Sequence, residues 1–102
     1  MNPCTSALLT DLYQFTMLHG YHVHAMDEVA VFELFMRKLP RQRNLLVAAG
    51  LEQALDYLEQ LHFTVQELKW IEKCGLFPQG LAQQLEKLRF TGDVDAMPEG
   101  TV

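Results

Sequence analysis

The chain has 102 residues, of which 49% are hydrophobic and 21% are charged, and its formal net charge is −5 with neutral histidines. This length and composition are typical of one small soluble domain, or of a piece of a larger one. The acidic balance argues against nucleic acid as the main partner, and no apolar run approaches the roughly 20 residues that span a bilayer. Since the first residues also lack a secretory pattern, we expect a cytoplasmic protein that does not engage a membrane.

Metal and redox signals are weak in this sequence. Cys4 and Cys74 stand in no CxxC pattern, so we expect two free thiols, with a disulfide as the less favoured alternative. His19, His22 and His24 lie close together, but their spacing matches no familiar metal site. We expect exposed or partly buried histidines and no metal ligand among them.

The first predicted element is a helix over residues 11–19. Thr10 is the predicted N-cap, Asp11 suits the positive end of the helix dipole, and Gly20 suits the left-handed position just past the helix. The free backbone N–H groups of a helix start can bind an anion or a flat polar ligand, and Tyr13 adds an aromatic ring beside them. The alternative for Tyr13 is packing in the core.

The pattern of residues 29–39 predicts a strand, and we expect the rest of the chain to be organised around it. Its side chains alternate between two faces. The apolar face carries Ala30, Phe32, Leu34 and Met36. Pro40 ends the strand because proline cannot donate to a ladder. The apolar run over residues 45–49 predicts a second strand, so that the two strands form a β-hairpin.

Half of the positive charge lies at the tip of this predicted hairpin. Four of the eight Lys and Arg residues fall within seven positions, namely Arg37, Lys38, Arg41 and Arg43. A guanidinium group donates two hydrogen bonds at once to a phosphate or a carboxylate. The cluster therefore predicts either an anion-binding spot or a solvated hairpin tip.

Two helices are predicted after the hairpin. The first covers residues 51–61 and follows Gly50, with its apolar side formed by Leu51, Ala54, Leu55, Leu58 and Leu61. The next begins at a capping box between Thr64 and Glu67 and ends at Gly75. Phe63 and Leu68 have the spacing of a hydrophobic staple, and the side chains predicted to face inward are Val65, Leu68 and Ile71.

The last part of the chain predicts a fourth helix and a strand. Pro78 suits the first turn of the helix, whose apolar side carries Leu81, Leu85 and Leu88. Residues 91–97 predict a C-terminal strand, followed by a turn over residues 98–100. Residues 101–102 predict the start of a partner strand that continues in a longer protein. The predicted fold class is α+β: an N-terminal helix, a β-hairpin, three helices and a C-terminal strand.

Four ordered blocks of the sequence resemble the nicotinate phosphoribosyltransferase family. They are LLTDLYQFTM at residues 8–17, FELFMRKLP at 32–40, VAAGLE at 47–52, and FTGD with PEGTV at 90–93 and 98–102. Four blocks in order over nearly the whole chain are more specific than any one of them. The resemblance implies that residues 1–102 are the N-terminal α/β domain, without the irregular α/β barrel that completes these enzymes.

The resemblance also implies an activity for the full-length protein. Members of this family, which are glycosyltransferases, join nicotinate to phosphoribosyl pyrophosphate in NAD salvage, with ATP hydrolysis through a phosphohistidine. The resemblance implies that the full enzyme uses ATP and Mg²⁺ as cofactors and that neither is bound by this chain alone. It also implies that the enzyme is a homodimer whose sites are shared between subunits.

The same resemblance assigns roles to three residues. It implies that Tyr13 stacks on the pyridine ring in the neighbouring subunit's site. It implies that Asp11 supports the helix start and that Arg37 helps to hold phosphate. The catalytic residues belong to the barrel, so we expect the 102-residue chain alone to be inactive.

The chain departs from the family at the predicted hairpin tip. The family usually has Asn-Arg-Gly-Tyr where this chain has Gln42-Arg43-Asn44-Leu45. Asn tolerates a positive φ better than most residues do, so we expect the turn to survive without the missing aromatic ring.

A function of another class stays open at this point. The apolar strand face and the unfinished C-terminal hairpin suit a stand-alone interaction module that docks a partner by strand addition. The basic tip would then meet an acidic surface of that partner.

Overall fold

The computed structural model describes residues 6–102, and Cys4, one of the two predicted free thiols, lies outside them. Four α-helices are present in this range: Leu12–Val23 (α1), Leu51–Glu59 (α2), Val65–Cys74 (α3) and Leu81–Glu86 (α4). No helix of the described range is long and apolar enough to cross a membrane.

The predicted α+β fold is wrong, because residues 6–102 contain no β-strand. The predicted β-hairpin at residues 29–49 is irregular backbone, which together with residues 24–28 we call the open segment. The predicted C-terminal strand at residues 91–97 is irregular as well. The described chain is therefore helical, with long irregular connections.

The alternating sequence of residues 29–39 fails to form a strand because nothing in the described chain pairs with it. Phe32 is 88% exposed and Leu34 is completely exposed, so the apolar face has no cover. A strand needs a neighbouring backbone for its hydrogen bonds and a second surface for its apolar face. Alternation in a sequence identifies such a face but does not supply either partner.

One short contact links the two regions in which strands were predicted. The Ala48 N–H donates to the Thr101 carbonyl oxygen at 2.8 Å, and the Ala48 carbonyl accepts the Gly100 N–H at 2.8 Å. Two hydrogen bonds at a single residue do not make a ladder, but they bring the end of the described chain beside the start of α2.

The hydrophobic core lies where α1, α3 and α4 meet, and we call these three helices the helical core. Its buried side chains are Phe15, Phe63, Ile71, Leu81, Ala82 and Leu85. The Phe15 ring lies 6.0 Å from the Phe63 ring and 5.4 Å from the Phe77 ring, edge to face in both pairs, as aromatic rings prefer. Leu81 and Leu85 have no exposed surface, which confirms these two residues of the predicted apolar side of α4. The third, Leu88, lies beyond the end of the helix and packs against the core partly buried.

The ends of α1 differ from the prediction. Its N-cap is Asp11 rather than Thr10, and the helix continues through Gly20 to Val23. The left-handed residue beyond it is Ala25, with φ of 52°. Glycine permits such a turn but does not compel one, so the helix runs on past Gly20.

The start and end of α3 are confirmed in detail. The Glu67 N–H donates to Thr64 Oγ1 at 3.2 Å, and the Thr64 N–H donates to Glu67 Oε1 at 2.8 Å, which is the predicted capping box. Gly75 ends the helix with φ of 74°. Val65 was predicted to face inward but is exposed, so only part of the predicted apolar side is correct.

The bounds of α2 and α4 differ slightly from the prediction. The second helix ends at Glu59 and has no buried side chain, so its leucine side is only partly covered. Pro78 does not lie in the first turn of α4, whose N-cap is Gly80. Instead, the Pro78 carbonyl accepts the Leu81 N–H at 3.3 Å, in the turn that precedes the helix.

The chain leaves far more surface in water than a folded domain of its mass normally does. Its accessible surface is 9244 Å², whereas about 5,900 Å² is expected for a folded monomer of 11.7 kDa. The radius of gyration is 16.4 Å, against about 13 Å for a compact domain of this length. Much apolar surface thus stays open, above all in the open segment.

Candidate functional site

Tyr13 lies in the first turn of α1 and faces away from the helical core. Phe15, two residues later, is only 6% exposed, whereas Tyr13 is 57% exposed, because residues two apart point to different sides of a helix. Met17 and Tyr21 follow at steps of four residues and are exposed as well. Tyr13 therefore begins an exposed stripe along α1 rather than packing in the core.

Asp11 precedes this turn as the N-cap of α1. It has extended backbone angles, and its side chain makes no capping hydrogen bond. Its carbonyl oxygen accepts the Gln14 N–H at 3.1 Å. The carboxylate is exposed at the positive end of the helix, next to Tyr13 in sequence.

A buried carboxylate holds the segment that leads into α1. Glu67 of α3 is 6% exposed, and its Oε2 accepts a hydrogen bond from Ser6 Oγ at 2.5 Å. Burial by itself raises the pKa of the Glu67 carboxyl, but hydrogen bonds from Ser6 and Thr64 outweigh it and leave the pKa below its ordinary value. The group is therefore ionised at neutral pH.

Arg37 lies in the open segment with the other members of the basic cluster. Arg37, Lys38, Arg41 and Arg43 are all exposed, and no side-chain hydrogen bond within residues 6–102 engages them. The Arg43 N–H donates to the Pro40 carbonyl at 3.1 Å, so the chain turns at the tip as expected. The positive φ of 65° falls on Gln42 rather than on Asn44.

Glu99 makes a contact that the sequence did not predict. Its Oε1 accepts the Gly50 N–H at 2.8 Å, and its Oε2 accepts the Leu51 N–H at 3.0 Å. A carboxylate there satisfies two backbone groups that have no partner within the helix and lies at the positive end of its dipole. No local signal marks a contact across nearly half the chain, although both partners lie in blocks that carry the family resemblance.

The structure does not gather the three predicted substrate-binding residues into one pocket. Asp11 and Tyr13 share the start of α1, while Arg37 lies in the open segment, and no hydrogen bond within residues 6–102 connects it to either. Two shallow cavities of about 420 and 330 Å³ border α3, and none of the three residues lines them. The described residues therefore present separate groups rather than a formed binding site.

The clustered histidines are exposed at His22 and His24 and partly buried at His19, as the sequence indicated. The Nδ1 atom of His19 has no hydrogen-bond partner within the described residues. In the same range, no group of three or more His, Cys, Asp or Glu side chains is arranged to hold a metal ion.

Comparison with known proteins gives one consistent result. Residues 8–102 match the model of the nicotinate phosphoribosyltransferase (NAPRTase) N-terminal domain. Over 94% of its length the chain is 46% identical to nicotinate phosphoribosyltransferase pncB2 of Mycobacterium tuberculosis (strain ATCC 25618 / H37Rv), and over 99% it is 35% identical to nicotinate phosphoribosyltransferase 2 of Arabidopsis thaliana.

The matched regions are a small part of each relative. The chain covers 21% of the mycobacterial protein and 19% of the plant protein, or about a fifth of their length. The enzyme of Bacillus subtilis (strain 168) is 43% identical over 65% of the chain, which corresponds to 14% of that enzyme. No solved structure matches the chain.

Proposed function

Because the chain belongs to the nicotinate phosphoribosyltransferase family, we propose that it is the N-terminal part of an enzyme that joins nicotinate to phosphoribosyl pyrophosphate. The product is nicotinate mononucleotide, formed with ATP hydrolysis in NAD salvage by a cytoplasmic homodimer. The observation that carries this proposal is the match of residues 8–102 to the N-terminal domain of that family.

The open surface of the chain supports a role within a larger enzyme. Apolar side chains of the open segment, including Val29, Phe32 and Leu34, are exposed to an extent that a self-sufficient domain avoids. The stand-alone module loses its physical basis, because strand addition needs a sheet edge and residues 6–102 contain no strand. The remaining length of the enzyme supplies the cover in our proposal.

Tyr13 binds nicotinate in this proposal by stacking on its pyridine ring. Two flat aromatic rings gain about 0.5–1.5 kcal/mol from stacking beyond the area they bury. Phe15, two residues after Tyr13, is buried in the core and holds the backbone there. The exposed Tyr13 ring can therefore bind nicotinate with little loss of backbone entropy. The ring would serve the site of the neighbouring subunit in the homodimer.

Arg37 and Asp11 have supporting roles. The Arg37 guanidinium is exposed, and its planar fork matches the oxygen geometry of a phosphate group of phosphoribosyl pyrophosphate. The Asp11 carboxylate lies at the positive end of α1 and favours the helix start that carries Tyr13.

ATP and Mg²⁺ belong to the full enzyme in this proposal, as do the catalytic residues. In this proposal neither group is bound by the 102-residue chain alone. We expect the 102-residue chain alone to form no nicotinate mononucleotide at enzyme-like rates.

The first experiment assays the full natural polypeptide with nicotinate, phosphoribosyl pyrophosphate and Mg-ATP. Formation of nicotinate mononucleotide is expected, and its absence would refute the proposed activity. Tyr13→Ala should weaken nicotinate affinity about tenfold without changing the KM for phosphoribosyl pyrophosphate. Tyr57→Ala, which removes an exposed tyrosine from α2, is the matched control, and unchanged nicotinate affinity in Tyr13→Ala would remove Tyr13 from the site.

The second experiment tests the phosphate role of Arg37. Arg37→Ala should raise the KM for phosphoribosyl pyrophosphate about tenfold and leave nicotinate affinity unchanged, since a lost charge-assisted hydrogen bond acts only on its own ligand. Lys69→Ala removes one exposed positive charge from α3 and serves as the control. Equal effects of the two variants would show that only the overall charge matters.

A further inference from the structure

The first turn of α1, which carries Tyr13, is held by few contacts of its own. Asp11 occupies the N-cap position without a side-chain capping bond, and the Tyr13 ring is 57% exposed. Neither a cap nor packing of the ring therefore fixes this turn. Its position depends on Phe15, which is buried in the core, and on residues 6–10 before it.

Residues 6–10 form a short folded segment with Ser6 at its centre. The Ser6 hydroxyl oxygen accepts the Leu8 N–H at 3.1 Å, and the Ser6 carbonyl accepts the Leu9 N–H at 3.1 Å. The Thr10 N–H then donates to the Leu8 carbonyl at 2.8 Å. Ala7 and Leu8 also pack against the hydrophobic core. A displacement of Ser6 is thus transmitted to the residue directly before the N-cap.

Ser6 is in turn fixed from α3, across 61 residues of sequence. Its hydroxyl donates to Oε2 of the buried Glu67, while Oε1 of the same carboxylate accepts the Thr64 N–H at 2.8 Å. A buried carboxylate that stays ionised must keep its hydrogen-bond donors, so it holds both segments firmly. The two oxygens act on different segments, since one caps α3 and the other holds the segment that leads into α1.

We infer that Glu67 is a positioning residue for Tyr13, acting through the Ser6 hydroxyl and the folded segment before α1. This inference rests on the proposed function, because it concerns the placement of the ring that binds nicotinate. A purely structural contact would stabilise the fold without affecting one substrate more than the other. A positioning role instead changes the binding of nicotinate selectively.

Two single substitutions separate these roles in the full natural polypeptide. Ser6→Ala removes the hydroxyl and leaves the capping box of α3 intact, whereas Thr64→Ala removes the hydroxyl of that box and leaves the Ser6–Glu67 bond intact. Ser6→Thr keeps a hydroxyl and serves as the conservative rescue. The measurements are KM and kcat for both substrates, thermal unfolding, and hydrogen exchange of the amides of residues 8–10.

We expect Ser6→Ala to raise the KM for nicotinate about fivefold, with the KM for phosphoribosyl pyrophosphate unchanged. Amides of residues 8–10 should exchange about tenfold faster, because local opening becomes easier. Ser6→Thr should restore both values towards those of the natural protein. Thr64→Ala should lower the unfolding temperature without raising the KM for nicotinate.

Three outcomes would overturn the inference. One is an unchanged KM for nicotinate in Ser6→Ala, and another is unchanged amide exchange in residues 8–10. The third is an equal rise of that KM in Thr64→Ala, which would indicate general destabilisation. If Tyr13→Ala weakens nicotinate binding in the same assays, any of these outcomes rejects the role of Glu67 and leaves the proposed function standing; unchanged affinity in Tyr13→Ala rejects both.

Discussion

The helical core and the open segment both carry strong apolar patterns, yet only the helical core buries them. In α4 the pattern places Leu81 and Leu85 where no water reaches them, whereas in the open segment Leu34 is completely exposed. A helix satisfies its backbone hydrogen bonds within itself and needs only a surface to pack on. A strand needs a neighbour for its backbone as well, and the described chain provides none for the open segment.

The largest expected effect tests the helical core. Leu85→Ala should lower the free energy of unfolding of the full natural polypeptide by about 3 kcal/mol, because it removes a fully buried side chain and leaves a cavity. Leu76→Ala, at an exposed leucine just after α3, should change it by less than about 0.5 kcal/mol. Urea unfolding measures both, and equal losses would show that the core is not where the structure places it.

The second effect asks whether the open segment is covered in the longer protein. Phe32→Ser should cost about 2 kcal/mol in the full natural polypeptide, the usual gain from burying such a ring. In the 102-residue chain, where Phe32 is 88% exposed, the same change should leave the thermal transition where it is. A small effect in both proteins would contradict this comparison, since the segment would then be exposed in the full natural polypeptide too.

A third and smaller effect concerns the contact between Glu99 and the start of α2. Glu99→Gln keeps the shape of the side chain but loses the charge that both backbone N–H groups share, so we expect a loss of about 1 kcal/mol. The amides of Gly50 and Leu51 should lose protection against hydrogen exchange. Glu52→Gln, in the first turn of the same helix, tests whether helix charge alone explains the result.

The smallest effect is confined to acidic conditions. Because the folded-state pKa of Glu67 lies below its ordinary value of 4.5, its contribution to stability is complete above that value and is lost as the pH falls through the lower folded-state pKa. Glu67→Gln should flatten this part of the curve of unfolding free energy against pH. Glu72→Gln, which removes an exposed carboxylate from α3, is the control, and an equal flattening in that variant would contradict the assignment.

The sequence predicted those features whose causes lie within a few residues. The capping box of Thr64 and Glu67 and the glycine that ends α3 depend on backbone groups three or four residues away, and both are confirmed. The spacing of Leu81 and Leu85 is equally local and places both on one side of α4, where they are buried. The predicted end of α1 at Gly20 was wrong, because a residue that permits a helix end does not prevent the helix from continuing.

Features that depend on distant partners could not be predicted from one sequence. Nothing local tells that the Glu99 carboxylate meets Gly50 or that Ser6 meets Glu67, since these pairs lie 49 and 61 residues apart. The predicted hairpin was wrong because the alternating pattern identifies only an apolar face of residues 29–39. The backbone and the surface that would pair with this face are missing from the described chain. The family resemblance was confirmed, whereas the roles of Asp11, Tyr13 and Arg37 stay predictions.

The bare apolar surface of the open segment has a consequence for the newly synthesised protein. Residues 29–35 read VAVFELF, with one charge, no proline and several β-branched or aromatic side chains, a composition that favours aggregation when uncovered. The relatives are about five times as long as this chain, so at roughly 5–20 residues per second the ribosome needs about 20 to 80 seconds more to make their remainder.

During that interval the residues that follow can act as gatekeepers. Residues 29–35 are followed closely by Arg37, Lys38 and Pro40. Charges and proline at such positions oppose the stacking of identical segments. These two charges and the proline would thus oppose contact between identical stretches of newly made chains.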